Sequence, residues 1–280
     1  MKEISVSSIT DLVSRLCIEA NCHLNRDIEQ ALKCCMAKEE SPVGKNVLLS
    51  MLENASIAEQ EQVPICQDTG MAVIFIEIGT EVHIYGGDPE DAINEGVRRG
   101  YKKGFLRNSI VRDPVDRVNT NDNTPAVIHY TVTGGDKIKI IAAPKGFGSE
   151  NMSAIKMLTP AEGIEGIKKF VVDTVSKAGA NPCPPIIAGV GIGGTMEKCA
   201  LLSKRALLRQ LGSPNPDPFW CGVEKELLEK INCLGIGPAG FGGRITALGV
   251  NIETFPTHIA GLPVAVNIGC HVTRHAEGIL

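Results

Sequence analysis

Three of the ten cysteines stand where the backbone must turn rather than continue as helix or strand. Cys66 lies between Pro64-Ile65 and Gln67-Asp68, Cys183 between Pro182 and Pro184, and Cys270 between Gly269 and His271. Thiolates are soft donors suited to zinc and to iron–sulfur clusters. No C-x-x-C pair joins these three, so neither a zinc ribbon nor a ferredoxin-type run fits. A dispersed triad gathered by folding suits a different task. Three thiolates can hold three irons of a cubane cluster and leave the fourth open to substrate as a Lewis acid. The competing reading is packing, because reduced thiols are among the most buried side chains, and spacing alone leaves both readings open. Packing is the reading for Cys17, Cys22, Cys34, Cys35, Cys199, Cys221 and Cys233, which fall in or beside expected helices.

Polar residues accompany each turn. Asp68 beside Cys66 is placed either to move a proton, to orient Gln67 and a bound hydroxyl, or to close an Asx turn. Arg107, Arg117, Lys145 and Arg274 lie in or beside glycine-bearing loops, where a guanidinium fork could grip a carboxylate or simply form a surface ion pair. His258 and His271 flank Cys270 and could act in proton transfer, orient a neighbour, or be structural. A rival motif is Gly189-Val-Gly191-Ile-Gly-Gly194-Thr, a G-x-G-x-x-G between an expected strand and an expected helix. A dinucleotide site there would need a second strand ending in an acid about 20 residues on, and Ser213-Pro214-Asn215-Pro216 stands in its place.

The elements that carry these loops are read from periodicity. Residues 7–60 show apolar positions at three- and four-residue spacing and predict two or three helices. Residues 71–78 predict a buried strand and 89–102 a helix. Residues 104–125 are polar, proline-broken and too long for an ordinary connector, which marks a functional or disordered loop. Strands at 126–133 and 137–143 flank Thr133-Gly134-Gly135-Asp136, which has hairpin turn chemistry. Helices follow over 160–177, 195–211 and 222–233, with strands at 185–190, 245–254 and 263–269. The expected fold class is α/β (mixed α+β): an N-terminal helical segment, then a mixed sheet with flanking helices and glycine-rich site loops. No linker splits the chain, so one catalytic domain over 1–280, with room for two lobes, is the expectation.

Taken together, the chain resembles the α subunit of class I iron–sulfur fumarate hydratases and L-tartrate dehydratases. The resemblance runs from about residue 10 to 275. It rests on CQDTG at 66–70, RxxxxxDPxxRxNTxDNTPA at 107–126, PKGFGSEN at 144–151, GVGIGGT at 189–195 and THIAGLPVAVNIGCH at 257–271. It implies a [4Fe–4S] cluster on Cys66, Cys183 and Cys270. It also implies Asp68 and His258 as catalytic groups, and a substrate pocket lined by Gln67 and Arg107 with backbone around Gly146 and Gly148 holding a carboxylate. Phe147 stands where single-chain relatives usually have a third glycine, which points to the two-subunit branch. That branch implies a separate β subunit carrying a Thr base and further Arg and Lys anchors, in an α2β2 assembly. The sequence ends ten residues after Cys270, consistent with that expectation.

Composition bounds the alternatives. Hydrophobic residues make up 43% and charged residues 21%, which excludes a disordered chain. A net charge of −4 without a cluster of Lys and Arg argues against nucleic acid or an anionic membrane, and leaves a small dicarboxylate as the expected substrate. No apolar run approaches the roughly 20 residues that span a bilayer, and no secretory leader opens the sequence, so the expected location is cytoplasmic. The alternatives are a nucleotide-binding α/β enzyme using Gly189–Gly194, or a metal-stabilised interaction protein.

Overall fold

A computed structural model describes Met1–Leu280. In chain order the elements are β1 (Lys2–Ser5), α1 (Val6–Cys22), α2 (Arg26–Lys38), α3 (Pro42–Glu61), β2 (Met71–Gly79), β3 (Val82–Tyr85) and α4 (Pro89–Lys103). Next come β4 (Val127–Thr133), β5 (Ile138–Lys145), the single turn α5 (Phe147–Glu150), β6 (Ala154–Leu158) and α6 (Gly163–Ala178). The chain continues through β7 (Ile186–Gly193), α7 (Met196–Ala206), α8 (Pro218–Asn232), β8 (Ala247–Phe255), β9 (Leu262–Gly269) and β10 (Ala276–Ile279). This is the mixed α/β class expected from the pattern. No helix is long and apolar enough to cross a membrane.

Two compact units emerge. The first comprises Met1–Asn25, Asn54–Phe147 and Arg274–Leu280; the second comprises Arg26–Glu53 and Gly148–Thr273. In the first, a four-stranded sheet of order β10-β5-β2-β4 is centred on β2, whose residues Ala72 to Ile76 are all buried. β2 runs parallel to β4 and antiparallel to β5. A strand buried on both faces needs a partner on both edges, so β2 separates β4 from β5 and the hairpin expected at 133–136 does not form. Residues 133–137 instead close over the end of β2, where Gly79 N donates to Lys137 O at 2.9 Å and Thr80 N to Thr133 O at 2.8 Å.

Helix α4 starts as its sequence dictates. Asp88 caps it by accepting from Glu90 N and Asp91 N, and Pro89, which has no N–H to satisfy, takes the first turn. Its residues Ile93, Val97 and Tyr101 join Ile9, Val13 and Leu16 of α1 in one buried cluster. Gly96 and Gly100 permit the approach: a Cβ at Gly96 would lie 2.7 Å from Val13 Cβ, and one at Gly100 would lie 2.8 Å from Ser14 O.

The second unit holds a sheet of order β6-β9-β7-β8. All eight residues of β7 are buried, and its period of two splits them between faces. Ile186, Ala188, Val190 and Ile192 pack with Val171 of α6 and Leu227 of α8. Gly189 and Gly191 face α7, where added Cβ atoms would fall 2.2 Å from Ser203 O and 2.0 Å from Cys199 O. Two of the three motif glycines therefore sit inside a strand and admit a helix, which is not the phosphate-cradling loop of a dinucleotide site.

Candidate functional site

In the first unit the Cys66–Gly70 loop is fixed from several directions. Tyr101, fully buried on α4, donates its hydroxyl to Thr69 O at 2.9 Å and to Gly70 O at 3.0 Å. Burial drives its phenol well above the ordinary range, so it remains a donor. Arg274 is 4% exposed and donates from Nη2 to Asp68 O at 2.7 Å and from Nε to Asn21 Oδ1 at 3.2 Å. Sequence reading placed Arg274 among possible anion grips; the structure makes it a buried strut for the loop. Gly70 has φ +76° and lies so close to Lys145 that a Cβ would fall 2.7 Å from its carbonyl carbon, which accounts for glycine at the end of CQDTG.

Asp68 uses both carboxylate oxygens. Oδ1 accepts from Gly70 N at 3.0 Å, an Asx turn, and Oδ2 accepts from Phe147 N at 2.8 Å. Gly146 leaves room for that approach, since a Cβ there would be 3.2 Å from Oδ2. Each oxygen retains a second lone pair for a ligand. The Cys66 thiol faces its own loop, 3.4 Å from Gln67 Oε1 and 3.4 Å from Asp68 N.

The long polar segment at 104–125 is an ordered excursion rather than a loose connector. Val111 bridges Asn119, and Asp113 Oδ1 accepts from Val115 N and Asp116 N at 2.8 Å each. Its base is joined to the cysteine loop, because Arg107 N donates to Thr69 Oγ1 at 2.9 Å and Thr69 Oγ1 donates to Arg107 O at 3.2 Å. Asn123 Nδ2 adds a bond to Gly70 O at 3.2 Å. Cys66, Gln67, Asp68, Arg107 and Gly146 are thus brought together in one unit. Arg107 and Gln67 are exposed, and the Arg107 guanidinium forms no ion pair.

The second unit carries Cys183, Cys270, His258 and Gly148. Cys183 has φ +53°, a left-handed conformation that costs a non-glycine residue on the order of 1–3 kcal/mol and persists only where the surroundings impose it. His271 supplies part of that constraint, with Nδ1 2.9 Å from Cys183 O, and so ties the Cys183 loop to the residue following Cys270. Cys270 begins a tight turn in which Thr273 donates from N at 2.9 Å and from Oγ1 at 2.8 Å to Cys270 O. His258 lies on a loop anchored to the end of β7, where Thr257 Oγ1 donates to Gly194 O at 3.0 Å and Gly194 N to Pro256 O at 3.2 Å. Its ring is exposed and Nδ1 accepts from Ala260 N at 3.2 Å, so the ring proton sits on Nε2. Gly148 is exposed, with Asn181 O 3.7 Å from the position of a Cβ.

The seven cysteines expected to pack are not all buried: Cys34 and Cys233 are exposed, and Cys35 and Cys221 are half-buried. None of the ten is in a disulfide. Cys17, Cys22 and Cys199 are buried, and burial pushes the Cys17 thiol up to about 12, as expected of packing residues. Cys66, Cys183 and Cys270 are partly or fully exposed on hydrogen-bonded loops, and three such soft donors suit iron. Neither unit by itself gathers three His, Cys, Asp or Glu side chains into a metal site, since one of these cysteines is in the first unit and two are in the second. A groove of about 590 Å³ on the first unit, bordered by Arg15, His23 and Lys103, includes none of the residues above.

Sequence reading missed Tyr101, which hides among the apolar residues of α4, and the strut role of Arg274. It also missed Glu150, whose carboxylate takes Lys204 Nζ at 2.5 Å and Asn267 Nδ2 at 2.9 Å.

The family model described as Fumarate hydratase (Fumerase) matches residues 10–279. A protein of Methanocaldococcus jannaschii named "Putative L(+)-tartrate dehydratase subunit alpha" is 45% identical, over 96% of this chain and 96% of its own. The L(+)-tartrate dehydratase subunit alpha of Escherichia coli is 34% identical in one strain and 33% in another, over 98% of this chain and 91% of its own. With the family model spanning nearly every residue and the site motifs folded into defined loops, the chain belongs to the fumarate hydratase family and is a hydro-lyase of the α-subunit type.

Proposed function

We propose that this chain is the α subunit of a two-subunit cytoplasmic dehydratase acting reversibly on a four-carbon 2-hydroxy dicarboxylate. L-tartrate is the first substrate to test and the fumarate–malate pair the second. The observation that carries the reading is the reciprocal bonding of Thr69 and Arg107, which fastens the backbone of Arg107, an exposed residue, to the loop that carries Cys66, Gln67 and Asp68. Its guanidinium fork pairs with a substrate carboxylate in bidentate fashion. Backbone around Gly146 and Gly148 receives the second carboxylate. Gln67 and Asp68 orient the hydroxyl, and Asp68 is held in place by Gly70 and Phe147. His258, whose Nδ1 is occupied, exchanges its proton at Nε2.

Cys66, Cys183 and Cys270 would hold a [4Fe–4S] cluster, which when bound supplies a Lewis-acidic iron that polarises the departing hydroxyl. The remaining base and further cationic anchors come from a separate β subunit in an α2β2 assembly. The relatives' designation as subunit alpha supports that division of labour.

The test is anaerobic co-purification with the partner subunit, followed by iron and sulfide analysis, a visible spectrum, and turnover of L-tartrate, fumarate and malate. About four irons per chain and partner-dependent turnover are expected. A colourless, iron-free complex that turns over would remove the cluster. An iron-loaded complex inert toward all three acids would remove the substrate assignment.

A further inference from the structure

The segment that delivers Cys270 is held by a side chain with no place in the mechanism above. β9 carries Asn267 and Ile268 immediately before Gly269 and Cys270. Asn267 is 6% exposed, its Nδ2 donates to Glu150 Oε2 at 2.9 Å, and its Oδ1 is buried without a hydrogen-bond partner. Glu150 is therefore the one group that satisfies this buried amide. Its other oxygen takes Lys204 Nζ of α7 at 2.5 Å, so the carboxylate is clamped between a helix and the strand. One turn on, Ser153 Oγ accepts from Ile268 N at 3.1 Å, and Ser153 N donates to Glu150 O at 3.0 Å. Two successive residues of β9 are thus fastened to the turn beginning at Glu150. Beyond them Gly269 packs so tightly on Thr273 that an added Cβ would lie 2.0 Å from its Oγ1. No slack remains between the fastened strand and the Cys270 turn.

We infer that Glu150 is a positioning residue that sets the depth and register of Cys270 through Asn267. Its consequence for catalysis rests on the reading of Cys270 as a cluster ligand, but its effect on the thiol does not. Removing the carboxylate strands a buried amide and an ammonium, so the end of β9 relaxes and the thiol becomes more accessible. Glutamine at this position can restore the strand bond, because its amide nitrogen can donate to the vacant Asn267 Oδ1.

The experiment is iodoacetamide alkylation of the folded, iron-free full-length chain, read cysteine by cysteine by mass spectrometry. Exposed Cys34 serves as the reference and buried Cys199 as the reporter of general loosening. Glu150→Ala should raise Cys270 alkylation at least threefold over Cys34 and leave Cys199 unchanged, and Glu150→Gln should return it to the wild-type rate. Ser153→Ala, which removes the bond from Ile268 N together with a long 3.5 Å bond from Ser153 Oγ to Ser149 O, should raise it to a smaller degree and covers the case in which Glu150→Ala does not fold. Cys270 rates at the wild-type level in the folded variants, or a rise shared equally by Cys199, would overturn the inference. A second arm follows iron release to a chelator from the reconstituted chain, where Glu150→Ala should be several-fold faster. Failure of the wild-type chain to take up iron would defeat the cluster reading, while the alkylation result would still decide the role of Glu150.

Discussion

The Arg274 guanidinium donates to the carbonyl oxygen of Asp68 at 2.7 Å, joining two positions 206 residues apart through a side chain almost closed to solvent. A buried charge is tolerated only where polar partners replace its water, and Asn21 Oδ1 supplies a further one. Arg274→Met should cost about 3 kcal/mol in urea unfolding, because it leaves Asp68 O without that donor. Arg274→Lys should recover only part of it, since an ammonium cannot reproduce the fork. Wild-type stability in Arg274→Met would mean that the Asp68 loop does not depend on this bond.

Tyr101 anchors the same loop from beneath. Tyr101→Phe keeps the ring in the core cluster and removes only the hydroxyl that serves Thr69 O and Gly70 O. The expected loss is about 1–2 kcal/mol of stability, together with faster amide hydrogen exchange confined to residues 66–70. Exchange that rises uniformly across the first unit would mean that the hydroxyl supports the core rather than the loop.

What the sequence made legible follows from how local each signal is. Pro64, Pro182 and Gly269 interrupt regular structure beside a cysteine, and Asp88-Pro89 spells a helix start, so those features could be read within a few residues. The order of strands could not. Thr133-Gly134-Gly135-Asp136 has hairpin chemistry, yet β2 takes both edges that a hairpin would have paired. Tyr101 reads as one more apolar residue of α4, since nothing local says that its hydroxyl reaches a loop 32 residues earlier. Gly189 and Gly191 read as a phosphate loop for the same reason: the helix they admit is known only once α7 is in place. Glu39 is the plainest case, a carboxylate in an ordinary Lys-Glu-Glu run, two of whose four backbone partners lie more than 200 residues onward.

Glu39 carries a pH prediction. It is 1% exposed, and its Oε1 accepts from Glu40 N, Ser41 N and Arg244 N while Oε2 accepts from Ile245 N. Burial opposes ionisation and is the largest single influence, but the four backbone donors together outweigh it and hold the carboxyl below its ordinary value. A lowered folded value means that the stabilisation is complete above the unfolded carboxyl pKa of about 4.3 and is lost as pH falls through the folded value. Glu39→Gln should therefore be about 2 kcal/mol less stable than wild type at pH 7, and the gap should narrow only as pH falls below the unfolded carboxyl value and close below the lowered folded one. Denaturation midpoints measured across that range test it, and a gap independent of pH would assign the effect to shape rather than charge.

His258 is the group whose replacement separates chemistry from structure most cleanly. Its ring is exposed, and the one bond that orients it runs from Ala260 N to Nδ1 at 3.2 Å. Asparagine can accept the same backbone proton through Oδ1 but cannot exchange a proton at the position of Nε2. His258→Asn in the complex with the partner subunit should therefore melt within about 1 °C of wild type, since surface changes away from buried groups rarely exceed 0.5 kcal/mol. Turnover should fall roughly 10²- to 10⁴-fold in kcat with KM little changed, the loss typical of a missing general acid or base. A rise in KM at constant kcat would make His258 a substrate contact instead, and an unchanged pH profile of kcat would remove it from proton transfer.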